Sequence, residues 1–360
     1  MNNNIIKINK RVDIYPTFAC NIECKFCYYK FKKYREQRSF EDVKNEIDIF
    51  KQNYQIKYFD ITGGEPTVYK EIIKMVKYCR ERLILPTIIT NGQKTETIKN
   101  LVSEGLEDVL LSYHDYESHY DEITNRNNAY KNLMNSVEYL HSINFSFRTN
   151  TVVTKFNGDR LTEIAKKLTS IVKPRIANFI IFNPHPATDW SNKENIPFQG
   201  RYTDLSVNIK KALNIMIDNN IYTNVRYIPL CCMGEYEKYV CNFHQWQWDP
   251  YEWNVRACMK LDEKFWKYKL PFKSFFTKLK LSNLEEKKIL WLIKNRFCHN
   301  NIYLEKCREC DFYYICDGIY PQYLKNFGDE EFIPVKKIGK ILDPIMFRKK
   351  DLRWNDLKNK

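Results

Sequence analysis

No apolar run in the chain approaches the roughly 20 residues that a membrane-spanning helix needs, so a helical span is not expected. The first residues, Met1-Asn2-Asn3-Asn4-Ile5-Ile6-Lys7, lack the apolar core of a secretory signal. A cytoplasmic location is the expectation, with cysteines serving as thiols or metal ligands rather than disulfides. There is no internal repeat and no low-complexity linker. There is also no compact basic block. The mixed tail from Lys336 to Lys360 is diluted by Asp343, Asp351 and Asp356. The net charge of +14 accompanies a Lys-, Asn- and Ile-rich composition and no recognisable nucleic-acid-binding module, so nucleic acid is not an expected partner.

What is present is a core-forming chain of 360 residues, 44% of them hydrophobic, with 12 cysteines. That length suits one large domain and a smaller one. Up to residue 230, short β-type runs alternate with amphipathic helical patterns. The strand candidates are Val12–Phe18, Lys57–Thr62, Leu85–Thr90, Asp108–Tyr113, Phe145–Thr154, Arg175–Phe182 and Thr223–Ile228. Helices are expected at Phe40–Asn53, Glu71–Arg82, Lys94–Glu104, Ala129–His141, Asp159–Ile171 and Asp204–Asn219. Ser39 with Asp42 caps the first of these. Such alternation implies parallel strands with right-handed crossovers, hence an α/β barrel, open or closed. Residues 231–360 break the pattern with cysteines and aromatics and are expected to pack directly on residues 1–230. The aromatic belt from Tyr236 to Trp253 could line a substrate cavity or simply pack.

Two motifs carry the chemistry. Cys20, Cys24 and Cys27 form Cys-x3-Cys-x2-Cys after the first strand. Three thiolates can hold an iron–sulfur cluster one protein ligand short of four, leaving an iron open to substrate or cofactor. A zinc site or unrelated core thiols are the alternatives. Thr62-Gly63-Gly64-Glu65-Pro66 follows the second strand. Its glycines permit close backbone approach to a ligand, Pro66 suits the first turn of a helix, and Glu65 offers an acceptor for an ammonium.

In combination these residues resemble the radical S-adenosylmethionine (SAM) enzymes. The resemblance implies a partial (β/α)6 TIM-type barrel and a [4Fe–4S] cluster on Cys20, Cys24 and Cys27, with Phe26 at the aromatic position. It further implies SAM bound at the open iron, with Gly63, Gly64 and Glu65 receiving its amino group beside Pro66. Reductive cleavage of SAM to a 5′-deoxyadenosyl radical that abstracts a substrate hydrogen would follow. Thr90-Asn91-Gly92, Ser112-Tyr113-His114-Asp115, the stretch His119–Arg126, and Arg148–Thr154 continue the likeness. Asn91 ends the third strand, and Ser112 and Asn150 would sit near the ribose or carboxylate of SAM, or serve as hydrogen-bonding strand ends. His114 and His119 could be polar groups near substrate or structural histidines.

Cys307-x2-Cys310-x5-Cys316, preceded by Cys298, resembles the core of the SPASM and twitch extensions, which hold auxiliary [4Fe–4S] clusters. The pattern departs from SPASM at Tyr320, where another cysteine is expected. A cysteine-rich C-terminal auxiliary-cluster domain with one cluster follows from the likeness, with Cys258 as a substitute for Cys298. Zinc and free thiols are the alternatives. Adjacent Cys231 and Cys232 would point to opposite faces of a strand, so only one can face the barrel mouth, as hydrogen-atom donor, cluster ligand or buried thiol. Cys79 reads as core. The implied substrate is a peptide or protein, alternatively a small metabolite such as a sugar or nucleotide derivative. The positive charge suits an acidic flavodoxin or ferredoxin as electron donor. A non-catalytic iron–sulfur or zinc redox-responsive protein is the rival from another class; it leaves the Gly-Gly-Glu-Pro loop unexplained.

Overall fold

A computed structural model describes residues 9–29, 36–54, 56–183, 196–253 and 301–351. Apolar periodicity of two, then of 3.6, builds β-strands and helices in alternation, broken once by two successive helices. Strand β1 (Arg11–Thr17) is followed by α1 (Phe40–Tyr54), β2 (Tyr58–Gly63) and α2 (Ile72–Glu81). Then come β3 (Leu85–Thr90), α3 (Thr95–Ser103), β4 (Asp108–Ser112), α4 (Glu117–Thr124) and α5 (Ala129–Ser142). Next are β5 (Arg148–Val153), α6 (Leu161–Lys167), β6 (Ile176–Ile181), α7 (Tyr202–Asp218) and β7 (Tyr222–Arg226). All seven expected strands form, and β3 has the expected limits. A short α8 (Phe243–Trp246) and α9 (Pro321–Phe327) follow.

The strands pair in the order β1-β2-β3-β4-β5-β6-β7, each parallel to the next. This is a partial barrel of one strand more than the (β/α)6 unit, with β7 as the addition. β1 and β7 do not pair with each other. Val240 makes a parallel bridge to Val225, covering part of the β7 edge. Outward residues such as Val12, Ile14, Phe59, Ile61 and Ile88 are fully buried against the helices. That apolar core continues without a break into Phe312, Ile319 and Tyr323. Tyr202 of α7 stacks on Tyr323 of α9 with ring centroids 3.9 Å apart. The C-terminal part therefore packs directly on the barrel.

Inside the barrel the sequence alternation places polar groups, and they satisfy one another. Arg11 donates to Asp60 at 2.6 Å and Arg148 to Asp108 at 2.5 Å. Burial works against a charged Asp60, yet Arg11 and Arg148 hold its carboxyl below the usual range. One layer higher, Asn150 accepts from Asn178 at 2.8 Å.

The aromatic belt closes the opposite end of this interior from the cysteine loop. Trp253 Nε1 donates to Asp60 at 2.6 Å, the Tyr251 carbonyl accepts from Arg148 at 3.3 Å, and Asn9 Nδ2 donates to the Trp246 carbonyl at 2.9 Å. Those partners lie at or near the N-terminal ends of their strands. Residues 246–253 thus form a floor to the barrel rather than the wall of a substrate cavity. Arg348 completes the floor, donating to Asp249 at 2.5 Å and to Asn224 at 3.1 Å.

Candidate active site

The cysteine loop leaves the C-terminal end of β1, and the Gly-Gly-Glu-Pro loop leaves β2 beside it. The two are stitched together: Gly64 N donates to the Thr17 carbonyl at 3.0 Å, and Glu65 N to that of Ala19 at 2.8 Å. A Cβ on Gly64 would stand 2.2 Å from the Ala19 oxygen, and one on Gly63 2.3 Å from the Thr17 oxygen. The glycines therefore permit close approach to the cysteine loop itself, where a ligand had been the expected neighbour. Pro66 opens a short 3-10 turn, Pro66–Val68, as its fixed φ favours.

Glu65 is buried and already engaged. Its carboxylate accepts from Thr67 N at 3.0 Å, Thr67 Oγ1 at 2.6 Å, Thr90 Oγ1 at 2.6 Å and Asn91 N at 2.8 Å. Burial raises its pKa in spite of these bonds. The side chain ties the end of β3 to the loop after β2. Asn91 carries the tie onward: its Nδ2 donates to Asn21 Oδ1 at 2.7 Å and approaches Cys20 Sγ at 3.8 Å.

Cys20, Cys24 and Cys27 are partly accessible thiols within one loop. Burial pushes Cys20 up to about 11, with Glu65 and Cys27 adding to the shift. Burial, then Cys27 and Cys20, likewise raises Cys24. Three thiols in one loop, with burial holding Cys20 and Cys24 against ionisation, are a donor set for a cationic centre, whose charge would favour the thiolates. The residues present fit a cluster held by three cysteines.

Phe26 packs in a small apolar group with Ile123 and Phe182, and edge-on to His114 at 4.8 Å. His114 accepts the Val152 amide at Nδ1, 3.2 Å away, and burial lowers its pKa to about 3. It is a neutral, structural histidine beside the cysteine loop. His119 packs near Tyr116 on α4. The segment 121–126 clamps the cysteine loop from outside: Glu23 N donates to the Thr124 carbonyl, Lys25 N to that of Ile123, and Arg126 to that of Asn21 at 2.8 Å. Ser112 and Asn150 are register partners on β4 and β5, at neighbouring positions of the sheet. Asn21 and Tyr28, beside Cys20 and Cys27, were not singled out in the sequence, where adjacency to the cysteines was the available signal; Arg126, within the stretch His119–Arg126, reaches the Asn21 carbonyl.

A second thiol group lies in the C-terminal part. Cys231, Cys307, Cys310 and Cys316 line one cavity with Tyr303 and Phe312. Cys310 Sγ accepts from Val335 N and Cys316 Sγ from Gly318 N, each at 3.4 Å. Cys298 and Cys258 lie outside the described residues. Cys231 and Cys232 sit on a 3-10 turn, Leu230–Cys232, rather than a strand, and only Cys231 lines the cavity. Cys79 is buried on α2 as expected. Tyr320 follows the cavity-lining Ile319, and the Tyr227 ring stands 6.3 Å from that of Tyr320.

The Radical SAM superfamily model matches residues 14–168, the span that holds both loops and β1 to β5. Over those residues the chain is similar to the Radical SAM superfamily. Members of this superfamily are enzymes. The chain is 28% identical to the GTP 3′,8-cyclase of Staphylococcus epidermidis over 155 residues, 40% of this chain and 45% of the relative. It is 22% identical to the PqqA peptide cyclase of Methylocella silvestris over 238 residues, 63% of each. Among solved structures, native anSMEcpe with bound AdoMet and Cp18Cys peptide shares the radical SAM fold, with TM-score 0.51 and 15% identity across 97% of this chain and 99% of that one. The chain spans less than two thirds of each of the two curated relatives. No helix among the described residues is long and apolar enough to cross a membrane.

Proposed function

We propose that the protein is a radical SAM enzyme that reductively cleaves SAM and uses the 5′-deoxyadenosyl radical to abstract hydrogen from a peptide or protein. The observation that carries this reading is the stitched pair of loops at the C-terminal mouth of the barrel, one with Cys20, Cys24 and Cys27, the other with Gly63-Gly64-Glu65-Pro66. Strand-end loops on that face are where such barrels place chemistry. A [4Fe–4S] cluster held by those three thiols would supply the electron for cleavage of the sulfonium. Around it, Glu65 and Asn91 hold the loops in register. Phe26, His114 and Phe182 keep one flank dry, and Ser112 and Asn150 offer polar groups for the ribose or carboxylate of SAM. Cys307, Cys310 and Cys316 would hold an auxiliary cluster of SPASM or twitch type. An acidic flavodoxin or ferredoxin suits the net positive charge as electron donor.

The peptide reading draws on the likeness to the PqqA peptide cyclase, which runs past the barrel's first five strands. The likeness to the GTP 3′,8-cyclase favours a second reading, the same chemistry on a nucleotide-like metabolite. Anaerobic reconstitution, reduction and addition of SAM should yield 5′-deoxyadenosine, and Cys24→Ala should abolish it. No 5′-deoxyadenosine from protein with intact clusters would overturn the proposal. Faster formation with GTP but with no peptide from the neighbouring coding sequences would move the substrate to the metabolite class.

A further inference from the structure

The cavity in the C-terminal part joins two distant stretches of chain. Cys307 and Cys310 flank the end of a tight turn, where Cys310 N donates to the Cys307 carbonyl at 3.0 Å, and Cys316 follows. Cys231 comes from the turn just after β7, some 75 residues earlier, and is the fourth thiol on the same wall. Its neighbour Cys232 is buried and does not line that wall. Backbone amides are directed at two of the sulfurs, as they are around thiolates that bind metal. Four thiols on the wall of one cavity are the donor set that a [4Fe–4S] cluster takes.

We infer that Cys231 is the fourth ligand of the auxiliary cluster, completing a closed set with Cys307, Cys310 and Cys316 in place of Cys298. The inference rests on the auxiliary-cluster reading. Closed four-thiolate coordination leaves no iron for a substrate, so this site stores or relays electrons and fastens the C-terminal part to the barrel end. It also explains why Tyr320, where the SPASM pattern has another cysteine, can be a tyrosine: the set of four is complete without it.

The test uses the full chain carrying Cys20→Ala, Cys24→Ala and Cys27→Ala, which isolates the second site. After anaerobic reconstitution this protein should retain about four irons per chain and the electron paramagnetic resonance signal of one reduced cluster. Adding Cys231→Ala should remove both, while adding Cys232→Ala or Cys298→Ala should leave both. Cys231→Ser, which offers an oxygen ligand and disturbs packing least, should keep a native circular dichroism spectrum and shift or lose the signal. An unchanged signal in Cys231→Ala or Cys231→Ser overturns the inference. So does loss of the cluster in Cys298→Ala with retention in Cys231→Ala. A triple variant that binds no iron takes down the auxiliary-cluster reading and the ligand assignment with it.

Discussion

Glu65 shows how much one buried side chain can tie together at the mouth of the barrel. In Glu65→Gln one oxygen becomes an NH2 that cannot accept, so a buried donor among Thr67, Thr90 and Asn91 loses its partner. The expected cost is about 1–3 kcal/mol of stability, read by denaturant titration, together with slower 5′-deoxyadenosine formation as Asn91 loses its hold near Cys20. His114 gives a pH signature. Its folded-state pKa is about 3, against an ordinary value near 6.5. The unfolded chain therefore takes up the proton first, and the stability this neutral ring contributes is lost as pH falls below 6.5. Between pH 6 and pH 5 the wild type should lose on the order of 1 kcal/mol more than His114→Gln. Equal losses in the two proteins would show that His114 is not held neutral. The motif residues at this scale were legible because their types are scarce and their spacing is fixed. What Glu65 bonds to was not, since Thr90 and Asn91 lie 25 and 26 residues away and meet it only through strand pairing.

At the scale of elements, the loop pair after β1 and β2 depends on the absence of two side chains. Gly64→Ala would drive a methyl into the carbonyls of Phe18 and Ala19, which are backbone and cannot rotate away. A loss of about 1–3 kcal/mol should accompany it, and iron content should fall by the share belonging to the first cluster. Full iron loading in Gly64→Ala would show that the loops tolerate separation. The strands were readable because apolar residues facing the helices alternate with polar ones facing the interior, as in β2, where Phe59 and Ile61 flank Asp60. Helix α4 was not, since Glu117–Thr124 is polar and begins at a residue with φ of 53°, a conformation that local pattern does not announce. For a related reason the belt from Trp246 to Trp253 could be read either as cavity wall or as packing, and the structure shows it packing at the barrel floor. Its aromatic content was visible, but its partners Asn9, Arg11 and Arg148 are each at least 100 residues away.

For the whole molecule, net charge and the buried floor make separate predictions. With +14 overall, turnover driven by an acidic flavodoxin should fall with ionic strength far more than turnover driven by a small chemical reductant. Matching salt responses would argue against electrostatic steering. Arg348 is buried with Asp249, so Arg348→Met should leave a carboxylate unpaired inside the barrel. About 3–5 kcal/mol of stability should go with it, measurable as a large drop in the thermal midpoint of the intact protein. The same arginine imposes an order on biosynthesis. The seven strands are translated by residue 226, yet the guanidinium that neutralises Asp249 and braces Asn224 leaves the ribosome more than 120 residues later. A nascent barrel must therefore wait with its base unsealed, and a chaperone that shields that opening would have the longest time to act there.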